Sequence, residues 1–92
     1  MTLIVVSTSR FRKDYKREAA NPKRNIADLQ SIVRALANGD ALPASNRDHR
    51  LRGKLSDCRE CHITGDWLLI YRIEGDELQL VRTGTHAELF GA

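Results

Sequence analysis

Two turn signals ten residues apart, Thr64-Gly65-Asp66 and Glu74-Gly75-Asp76, constrain this chain more than any other feature. A glycine beside a polar residue, set between apolar runs, supplies the backbone freedom that a tight hairpin needs. The run between the turns, Trp67 to Ile73, is aromatic and branched, and Arg59-Glu-Cys-His-Ile63 before it alternates loosely. Beyond the second turn Leu78, Leu80 and Arg82 share one face of a strand, while Gln79 and Val81 share the other. Three strands in succession, joined by such turns, predict an antiparallel meander. Thr83-Gly84-Thr85 ends it and leaves His86 to Phe90 as a terminal turn or short helix.

The first half of the chain has a different period. Leu3 to Val6 reads as a short buried strand, bounded by Ser7-Thr8-Ser9. From Arg10 to Ala20 the apolar positions Phe11, Tyr15 and Ala19 fall on one narrow helical stripe. Asn21-Pro22 breaks that helix, because proline disfavours a helical conformation in the residue before it. Asn25 caps a second helix whose stripe is Ile26, Leu29, Ile32, Val33 and Leu36, and Gly39 ends it. Asp40 to Arg50 reads as a long irregular connection, a feature that in compact domains usually has a function. The order β-α-α-β-β-β predicts an α+β fold, an antiparallel sheet with two N-terminal helices packed on one face. At 92 residues it is expected to form a single domain, 1–92.

Composition removes several alternatives. Apolar residues make up 41% of the chain and charged residues 29%, the balance of a globular protein. The longest apolar run, Trp67 to Tyr71, is far short of the roughly 20 residues of a membrane span. The opening residues lack the charged region of a signal peptide, so a cytoplasmic protein with reduced cysteines and no membrane partner is expected. Cys58-Arg-Glu-Cys61-His62 matches the C-x-x-C-H pattern of c-type haem attachment. It falls in a predicted strand, the chain lacks an export signal, and Met1 is the only methionine to serve as a second axial ligand. A redox pair would want a helix N-terminus, and zinc would need two further ligands from distant segments. The cysteines are therefore read as packing residues, with Cys61 inward and His62 outward, and no cofactor or metal is expected.

Fifteen Lys and Arg against twelve Asp and Glu give a net charge of +3, concentrated in two clusters. Arg10, Arg12, Lys13, Lys16, Arg17, Lys23 and Arg24 are opposed only by Asp14 and Glu18. Arg47, Arg50, Arg52 and Lys54 surround His49 and meet only Asp48. Such clusters suit a phosphate backbone. The three histidines keep chemically useful company. His49 lies in the second cluster, antiparallel pairing across Gly65 brings His62 towards Asp66, and His86 follows Arg82 by four residues. RNA cleavage without a metal needs a base for the 2′-hydroxyl proton, an acid for the departing 5′ oxygen and cations for the phosphoryl charge. Histidine suits both proton transfers, and arginine suits the phosphate. Trp67 and Phe90 suit stacking on an unpaired base. Neither a glycine-rich phosphate loop nor a paired-carboxylate metal motif competes with this chemistry.

Asp48-His49-Arg-Leu51-Arg-Gly53, Arg59-Glu-Cys-His62-Ile63, Asp66-Trp67-Leu-Leu-Ile70-Tyr71 and Arg82-Thr83-Gly84-Thr85-His86-Ala87-Glu-Leu89-Phe90 closely resemble the YafQ-like branch of the RelE/ParE superfamily, toxins of type II toxin–antitoxin systems. The run Arg82 to Ala87 followed by Leu89-Phe90 is the most specific part, whereas the N-terminal helices match only in pattern. The resemblance implies a ribosome-dependent mRNA endoribonuclease that cuts in the A-site codon without a metal. It implies a catalytic set of His49, His62, Asp66 and His86, with Trp67, Arg82 and Phe90 at the substrate; the charge cluster adds Arg50, Arg52 and Lys54 as expected RNA contacts. On this reading His86 is the general acid and His49 the base, and His62 and Asp66 orient them or bind the scissile phosphate. The implied partners are the 70S ribosome with its mRNA and a cognate antitoxin, whose complex with the toxin binds operator DNA through the antitoxin. The rival reading from another class is a non-catalytic inhibitor that binds RNA or the ribosome with the same basic surface.

Overall fold

In the computed structural model, which describes residues 2–91, both glycine turns close two-residue hairpin loops. Gly65 and Gly75 sit at positive φ, +53° and +61°, where a side chain would be strained. The elements in chain order are β1 (Ile4–Ser7), α1 (Ser9–Ala19), α2 (Ile26–Ala37), a 3₁₀ turn (Ala44–Asn46), β2 (His49–Arg50), a second 3₁₀ turn (Gly53–Leu55), β3 (Arg59–Thr64), β4 (Trp67–Glu74), β5 (Glu77–Thr85) and α3 (His86–Phe90). The α+β class is as expected, but the sheet is mixed, with five strands in the order β1-β5-β4-β3-β2. Strands β2 to β5 form the antiparallel meander, and β1 pairs parallel with β5, Ile4 opposite Glu77 and Ser7 opposite Leu80. The expected irregular connection also contributes β2, which pairs His49 with Glu60 and Arg50 with Arg59. Among the described residues no helix is long and apolar enough to cross a membrane.

Alternation along the strands sorts the sheet into two faces. Cys61, Ile63, Trp67, Leu69, Tyr71, Leu78 and Leu80 pack in one cluster with Phe11 of α1 and Leu29, Leu36 and Ala37 of α2. Glu60, His62, Leu68 and Ile70 point the other way. Helix α2 follows its expected stripe, and the Asn25 side chain accepts the Ala27 amide at 3.1 Å. Strand β1 is not the buried strand expected. It is an edge, and Ile4, Val5 and Val6 are exposed. The face shared by Leu78, Leu80 and Arg82 is interrupted too, because a bulge shifts the register so that Ile70 opposes Arg82 and Tyr71 opposes Leu80.

Helix α1 departs most from its expected stripe. The residues it buries are Phe11, Asp14 and Glu18, and Ala19 is exposed. The cause lies in β5, which outruns β1: pairing with β1 ends at Leu80, so the edge of β5 beyond it needs other partners. The Thr8 hydroxyl donates to the Val81 carbonyl at 2.8 Å, and Arg17 Nη2 donates to the Thr83 carbonyl at 3.0 Å. Asp14 accepts the Thr83 amide at 3.3 Å and grips Arg82 through Nε at 2.9 Å and Nη2 at 3.1 Å. Helix α1 thus covers an open sheet edge with side chains in place of a strand. Asp14 is only 2% exposed. Burial alone would raise its pKa, but the hydrogen bonds from Arg82 and Thr83 and the charges of Arg82 and Arg17 hold it below its ordinary value. The contribution of this carboxylate to stability is therefore present above the unfolded carboxylate pKa and lost as pH falls through the lower folded value. Asp14→Ala, which strands a half-buried guanidinium and a buried amide, should cost about 3–5 kcal/mol in denaturant unfolding and flatten the loss of stability in acid. An unchanged unfolding midpoint would contradict this account.

Candidate active site

Strand β3 ends, β4 begins and β5 ends at the same end of the sheet, with Thr64 opposite Trp67 and Trp67 opposite Thr85. Three of the predicted catalytic groups lie towards that end in the chain order of the elements. His62 lies on β3 two residues from its end, Asp66 occupies the β3–β4 turn, and His86 is the first residue of α3. His49 stands on β2, opposite Glu60. At the ordinary inter-strand spacing β2 lies about 14 Å from β5, with β3 and β4 between them.

Each group is held differently. His49 is exposed but anchored, its Nδ1 lying 2.7 Å from the Arg47 carbonyl and its Nε2 lying 3.6 Å from Glu60 Oε1. Arg47 takes the left-handed conformation, φ +48°, an uncommon one for a residue with a side chain. Half-buried His62 has Nδ1 3.3 Å from the Gly65 carbonyl. Pairing across the turn therefore carries its ring to the residue before Asp66, because His62 opposes Leu68 and the register shifts between His62 and Thr64. Asp66 is exposed, with Arg24 Nη1 at 3.8 Å. The exposed rings of His86 and Phe90 lie 4.9 Å apart, one helical turn from each other.

The run Arg82 to His86 is explained residue by residue. Arg82 is bound to Asp14. The Thr83 hydroxyl accepts from Trp67 Nε1 at 2.9 Å and donates to the Leu68 carbonyl at 2.7 Å. Gly84 leaves space, since a Cβ there would lie 2.8 Å from Arg17 Nη2 and 3.0 Å from Glu88 Oε1. Thr85 caps α3 in a reciprocal capping box with Glu88, which also pairs with Arg17 at 3.1 Å. The motif is thus a mount that presents His86 on the first turn of α3.

Two expected substrate contacts are corrected. Trp67 is fully buried in the core, with Arg24 5.3 Å over its ring, so it offers no free face to a base. The reason is alternation: Trp67, Leu69 and Tyr71 all point to the helix face. Arg82 is not a free cation, because Asp14 takes two of its nitrogens. In the first basic cluster Arg17 and Arg24 are likewise engaged, Arg24 with Glu18 at 2.9 Å. Arg50, Arg52 and Lys54 are exposed and make no ion pair among the described residues.

The sequence reading missed the acids behind the site. Asp14 and Glu18 fix Arg82 and Arg24, and Glu60 faces His49; each shares a face with residues already singled out. The Cys58 and Cys61 thiols are free and buried. Burial pushes Cys61 up to about 12, and burial together with Asp57 raises Cys58, so both favour the inert thiol.

Comparison with known proteins gives a consistent result. Residues 3–91 match the family described as the bacterial toxin of type II toxin–antitoxin system, YafQ. The mRNA interferase toxin YafQ of Escherichia coli (strain K12) is 36% identical over 85 residues, 91% of each chain. The structure superposes on YafQ in the E. coli DinJ–YafQ toxin–antitoxin complex with a TM-score of 0.88 at 33% identity, covering 99% of this chain and 100% of that one. A metal-bound toxin from Helicobacter pylori gives a TM-score of 0.88 at 39% identity, covering 96% of this chain and 99% of that one.

The unpaired cations beside His49 generate a direct test. Arg50→Glu with Arg52→Glu should weaken binding to single-stranded RNA and lower the slope of log affinity against log salt by about 0.7 for each phosphate no longer neutralised. Fluorescence anisotropy across a salt series measures both, and an unchanged slope would return these residues to ordinary solvated surface.

Proposed function

Because the chain belongs to the YafQ family of bacterial type II toxins, we propose that it is an endoribonuclease that cuts mRNA in the A-site codon of translating 70S ribosomes. The observation that supports this reading is the placement of His62 near the end of β3, Asp66 in the β3–β4 turn and His86 at the start of α3, with exposed Arg50, Arg52 and Lys54 close to His49 in the chain. These groups supply what metal-independent cleavage requires. His49 is the base. Its Nδ1 is committed to the Arg47 carbonyl, which only accepts hydrogen bonds, so Nδ1 carries the proton and Nε2 keeps the lone pair. His86 is the acid for the departing 5′ oxygen, presented by the capped first turn of α3 with Phe90 against its ring. His62 and Asp66, between them, orient the pair or bind the scissile phosphate. Phe90 is the stacking ring for the unpaired base.

On this reading a cognate antitoxin holds the activity in check and carries the pair to operator DNA; the partner itself is supported by the E. coli DinJ–YafQ toxin–antitoxin complex. The site of action is the cytoplasm.

His86→Ala should abolish growth arrest and slow message cleavage by about 10²–10⁴-fold, with melting temperature, antitoxin binding and ribosome co-sedimentation unchanged. Mapping mRNA ends after induction tests the reading itself. New ends within codons at ribosomal positions support cleavage. Growth arrest without new ends would favour a non-catalytic inhibitor that blocks the ribosome.

A further inference from the structure

Glu60 is the one buried carboxylate beside the site that the cleavage scheme leaves unused. It is 2% exposed, and its Oε2 has no hydrogen-bond partner among the described residues. A buried carboxylate oxygen without a partner is costly, so its retention calls for a use. Its other oxygen stands 3.6 Å from His49 Nε2. The two residues are direct partners across β2 and β3, so the backbone register sets their approach.

That distance is informative. It exceeds hydrogen-bonding length, and a carboxylate only accepts, so Glu60 leaves the Nε2 lone pair free while lying close enough to stabilise a cation there. Nδ1 is already committed to the Arg47 carbonyl, so any proton gained by the ring lands on the nitrogen that faces Glu60. We propose that Glu60 is a positioning residue for the base, its buried carboxylate aligning the His49 ring and stabilising the imidazolium formed when Nε2 takes the 2′-hydroxyl proton. In that step the O–H bond breaks, an N–H bond forms at Nε2, and the oxygen keeps its electron pair and attacks phosphorus. The 5′ oxygen leaves with the P–O bonding pair and takes a proton from His86. The inference rests on the nuclease reading above.

Of the other titratable and charged groups around the pair, Arg50, Arg52 and Lys54 are exposed and make no ion pair among the described residues. His62 lies two residues along the same face of β3, and Cys58 two residues the other way. Arg82 stands beyond Ile70 on β5 and is neutralised by Asp14. Asp48 turns away, accepting from Arg59 Nε at 3.0 Å and from the Tyr71 hydroxyl at 2.7 Å. Glu60 is thus the carboxylate directed at Nε2.

The test compares the full chain with Glu60→Gln and Glu60→Asp in single-turnover cleavage of ribosome-bound message across pH, with ribosome affinity and melting temperature measured alongside. Glu60→Gln keeps the shape and removes the charge. Cleavage should slow roughly five- to tenfold with ribosome affinity unchanged, the scale of one carboxylate–cation contact at a half-exposed ring. The acid limb of its pH–rate profile should move to lower pH, because an amide no longer stabilises the protonated base. Glu60→Asp should restore part of the rate and part of the limb. Superimposable profiles for parent and Glu60→Gln would overturn the inference while leaving the nuclease reading intact. Equal losses of melting temperature and rate in both variants would assign Glu60 to folding alone and overturn it as well. Absence of cleavage by the parent would overturn the nuclease reading and this inference together.

Discussion

The Asp14 carboxylate is the contact on which the rest of this structure depends. Strand β5 runs past the end of its parallel neighbour and leaves backbone groups facing no strand. Helix α1 meets them with Asp14 on the Thr83 amide, Arg17 on the Thr83 carbonyl and Thr8 on the Val81 carbonyl. The same carboxylate fixes Arg82, and the Arg17 guanidinium reaches on to Glu88, which completes the cap of α3. One buried acid therefore ties the first helix to the last strand and, through Arg17, to the short helix that carries His86. A buried ion pair of this kind contributes little compared with a well-packed apolar contact, but removing one partner is expensive. Its value lies in specifying where α1 sits along β5.

Support of this kind suits a site made of short exposed side chains. His49, His62 and His86 are not enclosed in a cavity. Each is fixed from behind, by the Arg47 carbonyl, the Gly65 carbonyl and the Thr85 capping box respectively. The sheet end provides the base, and His49 and His86 are left exposed, which suits the proposed message held on a ribosome. Glu18 and Asp14 inside the protein hold Arg24 and Arg82, while Arg50, Arg52 and Lys54 are exposed.

Much of this was legible in the sequence because it is written locally. The hairpins at Gly65 and Gly75 follow from turn chemistry, and α2 follows from its cap and its stripe. The pairing of β1 with β5 was not legible, since Ile4 and Glu77 lie at opposite ends of the chain and share no local signal. Asp14 and Glu18 resembled solvated charges on a basic helix, although counting three and seven residues from Phe11 places both on its buried side. Trp67 suggested a stacking ring because it is aromatic. Its alternation with Leu69 and Tyr71 was the better guide. The histidines were singled out because chemistry restricts which side chains move protons near neutral pH, and Glu60 was overlooked because a lone acid in a strand resembles any surface residue.

The chemistry of the cut ends is the measurement that tests the central claim most directly. Attack by a 2′-hydroxyl that His49 deprotonates, with His86 protonating the leaving oxygen, yields a 2′,3′-cyclic phosphate on one fragment and a 5′-hydroxyl on the other. Message cleaved on ribosomes by the purified protein should carry those ends, and a 2′-deoxy substitution at the cleaved nucleotide should stop the reaction. Fragments bearing a 3′-hydroxyl and a 5′-phosphate, or cleavage that survives the 2′-deoxy substitution, would contradict the account.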